Sequence, residues 1–341
     1  MSDTAVVKTA KAAKPAKEKP VKEPKGKIRL RDRFTKGNIL HFLGRLFIYI
    51  LLIEIAFIII YPLMTKFSAA LMSKEDMFDR TVTYIPRNPT LENITTVLTD
   101  SYYGEAVLNT FLVSALAAIL QTMVCSFTGY GLAKLRGRLS KIVFGLVVLN
   151  ILIPPQVILV PLYLKFRFFN PIDFFGLLQL TGHASSVIPM MNSILPVILL
   201  SITGYGFKNG LYIFIMRQFY KGVPEEIEEA AAIDGYGTIQ TYFRIVLPMA
   251  VPMMITIFMF AFSWQWTDTF YSGIFFSSKF KVLANTIFTM RSAFEVGIGG
   301  SYNTAVLLHT GVLLAIAPLI LIYVVAQRWI IAGIERSGLV G

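Results

Sequence analysis

The chain has 341 residues, of which 55% are hydrophobic and 15% are charged, and its mean hydropathy is +0.62. A soluble domain has roughly 45–50% apolar and about 25% charged residues, so the composition excludes a soluble protein and indicates a multi-pass membrane protein. Most of the formal net charge of +12 lies in residues 1–45, which hold 13 Lys and Arg and four Asp and Glu. This bias favours a cytoplasmic tail beside the membrane over nucleic-acid binding.

The tail, residues 1–45, is rich in Lys, Ala and Pro and cannot bury apolar surface, so it is predicted to be disordered. No small-residue cleavage site follows the first apolar stretch, and that stretch is therefore predicted to be a retained anchor. The remaining divisions are the first span with its outer loop (46–106), a core membrane domain (107–326) and a C-terminal tail (327–341).

Six apolar stretches are long enough to cross a membrane, which takes roughly 20 helical residues. They are continuous rather than alternating, and a backbone in lipid must satisfy its own hydrogen bonds, so helices are favoured over a β-barrel. The predicted fold class is an all-α integral membrane protein with six transmembrane helices. In chain order the predicted spans are Leu46 to Met64, Val107 to Thr128, Ile142 to Leu164, Ile194 to Met216, Val246 to Trp266 and Ala305 to Ala326.

The distribution of Lys and Arg predicts the topology. With a cytoplasmic tail, the inward segments carry 22 Lys and Arg, and the outward segments, of similar total length, carry nine. Because cytoplasmic loops are enriched in basic residues, both termini are predicted to be cytoplasmic. The inward segments are 1–45, 134–141, 217–244 and 328–341, and the outward segments are 65–104, 165–193 and 268–304.

Patterns of catalysis and metal binding are missing from the sequence. It contains no Walker A loop, no GxSxG elbow, no HExxH and no cluster of carboxylates. His41, His183 and His309 are scattered without ligand spacing, and Cys125 stands alone in an apolar span. Neither an active site nor a metal centre is therefore predicted.

The loop between the fourth and fifth predicted spans reads PEEIEEAAAIDGYGTIQTYFRIVLP, from Pro224 to Pro248. A proline start and glutamates in the first turns predict a short helix from Pro224 to Ile233, which Asp234-Gly235 ends. A second short helix is predicted from Thr238 to Arg244. An anionic leaflet would repel four glutamates, so a helix that docks on a protein is favoured over an amphipathic connector on the membrane surface.

Within this loop, the order and spacing of Glu, two Ala, Gly, Ile and Leu-Pro resemble the EAA motif of ABC-importer permeases. The resemblance implies that residues 217–244 contain the coupling helix, which sits in a cleft of a separate cytoplasmic ATPase. The implied ATPase-coupling residues are Glu229, Ala230, Ala231, Asp234, Gly235, Ile245, Leu247 and Pro248.

Segments 108–138, 151–163 and 326–338 are similar to permeases of maltose-type carbohydrate importers, so the resemblance covers roughly residues 108–338. It implies a type I ABC-importer permease fold in a bacterial-type cytoplasmic membrane. The implied partners are a second permease subunit, an ATPase dimer that holds ATP and Mg, an extracellular solute-binding protein and a sugar or oligosaccharide, and no cofactor is expected on this chain. Two departures are the long outer segment 166–193 and the lack of a Lys near the C-terminus.

A sugar path needs polar groups and flat aromatic faces that point into the bundle. Each candidate also has a simpler explanation: aromatic residues form interfacial belts, the Pro154-Pro155 break serves packing, and Lys208, like Glu54, pairs with a second permease. A stand-alone secondary transporter is the alternative function. The substrate-path candidates are Asn150, Gln156, Lys208, Trp264, Gln265, Trp266, Asp268 and Tyr271.

Overall fold

A computed structural model describes residues 36–79, 81–99, 101–135, 137–170, 188, 190–276, 280–287 and 301–336. These residues form helices joined by loops, with one isolated antiparallel bridge between Phe169 and Ile188. The predicted all-α class is confirmed for the described part of the chain. The basic tail up to residue 35, the outer segment 171–187 with His183, and the last residues from 337 lie outside the described residues.

Long and short helices are interspersed along the described chain. In chain order they are α1 (Lys36–Leu71), α2 (Lys74–Phe78), α3 (Glu92–Thr99), α4 (Ser101–Lys134), α5 (Arg138–Leu152), a 3₁₀ turn (Pro155–Ile158), α6 (Leu159–Arg167), α7 (Leu195–Ile202), α8 (Asn209–Lys221), α9 (Glu225–Ile233), α10 (Thr238–Thr241), a π-helical turn (Tyr242–Val246), α11 (Leu247–Trp266), α12 (Phe270–Phe275) and α13 (Ser301–Arg336).

Four helical segments in the described residues are long and apolar enough to cross a membrane, and they coincide with the first, second, fifth and sixth predicted spans. A fifth span results if α5 and α6, which are bent by 96° at their junction, are counted together. The prediction of six spans is therefore met only in part. The four segments are His41–Leu71, Tyr102–Lys134, Thr238–Trp266 and Ala305–Ile331.

The bend between α5 and α6 lies at the predicted Pro154-Pro155 break. Proline has no amide donor, so α5 ends at Leu152, where Ile153 donates the last helical hydrogen bond to Leu149. Pro154 is extended, and a 3₁₀ turn restarts the helix. The predicted kink is confirmed.

The fourth predicted span is not one helix, which corrects the sequence prediction. α7 and α8 are separated by a break, because Gly204 and Lys208 both have positive φ angles, +80° and +65°. The left-handed conformation is easy for glycine and costly for lysine, and it cannot continue a right-handed helix. The mean hydropathy of residues 194–216 does not depend on the backbone conformation, so it could not reveal this break.

The chain divides into two compact units, Met1–Ile60 and Tyr61–Gly341. In the described part of the first unit, the side chains of α1 from residue 41 are all exposed, including that of Glu54. In the second unit, α4 packs against α8 and α11, and α11 also packs against α13. The largest fully buried side chains at these contacts include Tyr212, Met216, Tyr220, Met253, Ile257 and Phe262.

Candidate functional site

Helix α9 begins and ends where the sequence predicts. Pro224 stands before the first helical residue, and Glu225, Glu226 and Glu228 lie in the first turn, where their charges favour the positive end of the helix dipole. At the other end, Tyr236 donates to the Ala231 carbonyl and Gly235 donates to the Ala232 carbonyl. With φ of +82° at Gly235, these two bonds form a Schellman motif.

The helix has two distinct faces. Ile227 packs against the hydrophobic core between α4, α8 and α11, Glu228 is half-buried, and Ala231 is only 2% exposed. The outward face holds exposed residues at helical spacing i, i+3, i+4 and i+7. They are Glu226, Glu229, Ala230 and Ile233.

Two exposed isoleucines extend this outward surface. Ile233 is 86% exposed and Ile239 is 67% exposed, although both are large apolar residues in a polar loop. Isolated exposed apolar residues are common, but Ile233 lies on the helix itself and adds an apolar group to its outward face. The sequence carried this signal, because both residues lie outside every predicted span, and the motif did not include them.

The segment after α9 is helical from Thr238, as predicted, but it runs into the fifth span without a break instead of forming a separate short helix. α10, the π-helical turn and α11 are continuous. Pro248 has no amide donor for the preceding turn, and the helix widens immediately before it. Of the motif residues here, Ile245 and Leu247 are half-buried and Pro248 is exposed. Asp234, beside the end of α9, is also exposed.

Among the substrate-path candidates, the structure brings Lys208 and Trp264 together. The Lys208 ammonium lies 4.9 Å from the centroid of the Trp264 ring and 5.5 Å from that of Phe207. Phe207 meets Trp264 edge to face, with their centroids 5.7 Å apart. Lys208 is exposed and Trp264 is 46% exposed, so the pair presents a cation and an aromatic plate at the surface of the bundle.

Four other candidates face the interior: Gln265, Trp266, Asp268 and Tyr271. The Trp266 indole donates to the Ala315 carbonyl at 3.0 Å, so this ring joins α11 to α13. Gln265 is 6% exposed, and Tyr271 stacks on Phe275.

Asp268 is an internal helix cap. Its carboxylate accepts hydrogen bonds from the amides of Phe270, Tyr271 and Ser272 and from the Ser272 hydroxyl, at 2.8 to 3.2 Å. Burial raises the pKa of this carboxyl, and the hydrogen bonds partly offset that effect. With 5% exposure, Asp268 holds the start of α12.

The remaining two candidates lie at the α5–α6 bend. Gln156 is exposed on the 3₁₀ turn. Asn150 lines a cavity of about 920 Å³ between α4, α5, α8 and the start of α11. Gly210 also lines it and allows a close approach, because a Cβ there would lie 2.9 Å from Oδ1 of Asn150. Most other lining residues are apolar.

A polar patch buried between α4 and α8 was not predicted. Gln121 and Asn209 are each 1% exposed, and Oε1 of Gln121 and both amide atoms of Asn209 lack a hydrogen-bond partner in the described protein. Gly206 lies against both, since a Cβ there would be 2.7 Å from Nε2 of Gln121. Buried polar groups without partners are costly, and these lie beside the break between α7 and α8.

The fold and the site define a class of protein. Helices α4 and α11 are long enough to cross a membrane and pack together with α8, and between α8 and α11 lies a helix with acidic residues in its first turn, one buried face and one exposed face. These features are compatible with a membrane transport permease. The chain belongs to the family of binding-protein-dependent transport system inner membrane components, whose model matches residues 125–336. It is therefore a multi-pass membrane protein and the permease subunit of an ABC importer.

Curated relatives agree with this family. The chain is 27% identical over 286 residues to the melibiose/raffinose/stachyose import permease protein MelC of Bacillus subtilis, covering 84% of this chain and 92% of that protein. It is 25% identical over 262 residues to the probable starch degradation products transport system permease protein AmyC of Thermoanaerobacterium thermosulfurigenes, covering 77% and 85%.

A solved structure shares the fold. It is a chain of a bacterial ABC transporter involved in the import of the acidic polysaccharide alginate. The TM-score is 0.64 at 18% identity, and the match covers 86% of this chain and 98% of that chain.

Proposed function

We propose that this permease forms one half of the translocation path for a sugar or oligosaccharide, and that helix α9 couples it to a separate ATPase. The observation that carries the proposal is the division of α9 into two faces. Ile227 and Ala231 hold one face against the bundle, and the other presents Glu229, Ala230 and Ile233 to solvent. A helix with one face anchored on the bundle and the other exposed can transmit the movement of a bound partner to the bundle.

The outward face suits a protein cleft better than a lipid surface. Its glutamates would be repelled by anionic lipid, whereas a basic or polar cleft would accept them, and Ile233 would enter an apolar part of the same cleft. A given nucleotide state of the ATPase must bind the two permease conformations with different affinities. A partner that binds both conformations equally cannot shift the equilibrium between them. ATP and Mg are expected on that partner.

A sugar substrate is supported by two observations. The curated relatives described above are named for oligosaccharides and starch degradation products. The exposed pair of Lys208 and Trp264 supplies a donor and a flat aromatic face, which are the groups that bind sugar hydroxyls and ring CH faces. In this proposal Asn150 and Gln156 border the path at the α5–α6 bend.

The other partners follow from the family and from the surface. Phe127, Leu146 and Phe243 border the large cavity and are each more than half exposed. A second permease subunit is proposed to cover this apolar face and to complete the path. An extracellular solute-binding protein is proposed to deliver the sugar, and both termini are proposed to be cytoplasmic.

Copurification of the tagged chain tests the proposal. An ATPase and a second permease should copurify, and proteoliposomes of the complex should take up the sugar held by the copurified binding protein only when MgATP is present. Flux driven by a proton gradient through the chain alone would instead establish the secondary transporter.

The variant Glu229→Lys tests the docking face. It should abolish uptake while the chain still reaches the membrane, because it reverses a charge on the proposed contact. Glu75→Lys on α2, also exposed and outside the proposed contact, is the control and should transport normally. Normal transport by Glu229→Lys would refute the docking role.

A further inference from the structure

One lysine connects the end of α4 to the start of α9. Lys134 is the last residue of α4, and its ammonium lies 3.1 Å from Oε1 of Glu228. The same ammonium donates to the Val223 carbonyl at 3.3 Å, in the turn that precedes α9. Lys134 therefore holds both the approach to α9 and the helix itself.

This ion pair is more shielded than the pairs Lys74–Glu92, Arg87–Asp79 and Lys281–Glu105. The side chains of Lys134 and Glu228 are 16% and 24% exposed, compared with 60% and 55% for Lys74 and Glu92. A shielded pair responds strongly to the loss of one partner, because the remaining charge stays partly desolvated. Exposed pairs contribute little, since water and salt screen them.

The pair continues a polar stripe along α4. Ser126, Tyr130 and Lys134 are four residues apart and lie on one face of the helix. The Ser126 hydroxyl lies 2.6 Å from the Tyr220 hydroxyl and 2.9 Å from the Tyr242 hydroxyl. These contacts bring the end of α8 and the π-helical turn to the same stripe.

Tyr130 connects the two parts of the stripe. Its ring packs on those of Tyr220 and Tyr242, with centroid distances of 5.5 and 4.8 Å, and it lies one helical turn before Lys134 on the same face of α4. The tyrosines are at most 5% exposed. Since packed interiors change between discrete arrangements rather than deforming continuously, a displacement of α9 would move the stripe or break the ion pair.

We propose that Glu228 and Lys134 form an ionic latch that makes α9 and the end of α4 move together, with Glu228 as a positioning residue for coupling. The inference rests on the proposed function of α9 as the ATPase-docking helix. It assigns different roles to the glutamates of α9: Glu229 faces the ATPase, whereas the charge of Glu228 is used inside the permease.

Charge reversal tests the latch in the complete importer complex with its ATPase. Hydrogen–deuterium exchange is measured on peptides from α9 (225–233) and from the end of α4 (126–134), without nucleotide and with MgATP plus vanadate. In the wild type, both peptides should change their exchange with nucleotide. In Glu228→Lys or Lys134→Glu, the α9 change should remain, and the α4 change should fall by about threefold or more.

Rescue separates a latch from a merely structural contact. The double variant Glu228→Lys with Lys134→Glu restores an opposite-charge pair and should recover the α4 response. Glu228→Gln removes the charge but keeps the shape of the side chain. The exchange of the α4 peptide is measured in this variant if a charge-reversal variant reduces assembly of the complex. Glu105→Lys is the matched control, because Glu105 pairs with Lys281 at the other end of α4, 3.4 Å away.

The outcomes are distinguishable. An α4 response that persists in Glu228→Lys and in Glu228→Gln, or that the double variant fails to recover, would overturn the latch. Failure of the α9 peptide to respond in the wild type, or of an ATPase to copurify, would overturn the proposed function instead.

Discussion

Gly129 on α4 and Met216 on α8 touch so closely that a Cβ on Gly129 would lie 2.7 Å from Cβ of Met216 and 3.0 Å from the amide nitrogen of Arg217. The neighbour is partly backbone, so it cannot move aside without shifting α8. The packing of these two helices therefore depends on the absence of a side chain at one position, as is common where membrane helices approach closely.

Gly129→Ala should destabilise the permease by about 1–3 kcal/mol, because the added methyl overpacks a rigid contact. Gly131→Ala is the matched control: the added Cβ would meet only Cδ1 of Leu135, at 4.0 Å, and alanine is the better helix former. Thermal unfolding of the purified complex measures both. Equal midpoints for the two variants would show that the close approach does not limit stability.

Gly235→Ala should destabilise the end of α9 by about 1 kcal/mol, because φ is +82° at this position and an L-residue is strained there. Gly237 is two residues away with φ of −74° and open space around its Cβ position, so Gly237→Ala should be neutral. Binding of the purified ATPase to proteoliposomes measures the effect. A loss of binding in Gly237→Ala as large as that in Gly235→Ala would contradict the conformational explanation.

The bounds of α9 could be predicted because its signals are local. Proline, glutamates in the first turn and a left-handed glycine each act within a few residues of the helix end. The break in the fourth span could not be predicted in the same way, because beside the left-handed Gly204 it depends on Lys208, and a lysine rarely adopts the left-handed conformation. Hydropathy alone gives a continuous span.

The faces of α11 show a second limit. Trp264 and Trp266 are neighbours in one aromatic sequence, yet they are 46% and 4% exposed. Residues two positions apart on a helix point roughly 200° apart, so only one of them can face α13. The sequence predicted the helix. The side of α11 that meets the core is decided by packing partners that lie far along the chain.

Trp264→Ala should reduce ATP-dependent uptake by roughly tenfold while the assembled complex keeps its stability, because the exposed ring contributes a contact to the substrate and little to the core. Lys208→Met should act in the same direction, since it removes the charge beside that ring. Uptake by proteoliposomes and the yield of assembled complex are the two measurements.

Trp266→Ala is the matched comparison. It should lower stability by about 3–5 kcal/mol and thus the yield of complex, because it removes a buried ring and its hydrogen bond to the Ala315 carbonyl. Unchanged uptake and yield in both Trp264→Ala and Lys208→Met would remove that pair from the substrate path.

Asp268→Ala should destabilise the α11–α12 junction by about 1–3 kcal/mol, because three backbone amides and the Ser272 hydroxyl lose their common acceptor inside the protein. Ser272→Ala removes only the hydroxyl bond and leaves the three amide bonds intact, so its cost should be about 1 kcal/mol or less. The midpoint of thermal unfolding of the complex orders the two variants. An unchanged midpoint together with abolished uptake in Asp268→Ala would contradict this prediction. It would show that the cap contributes little to stability and that Asp268 acts on the substrate directly.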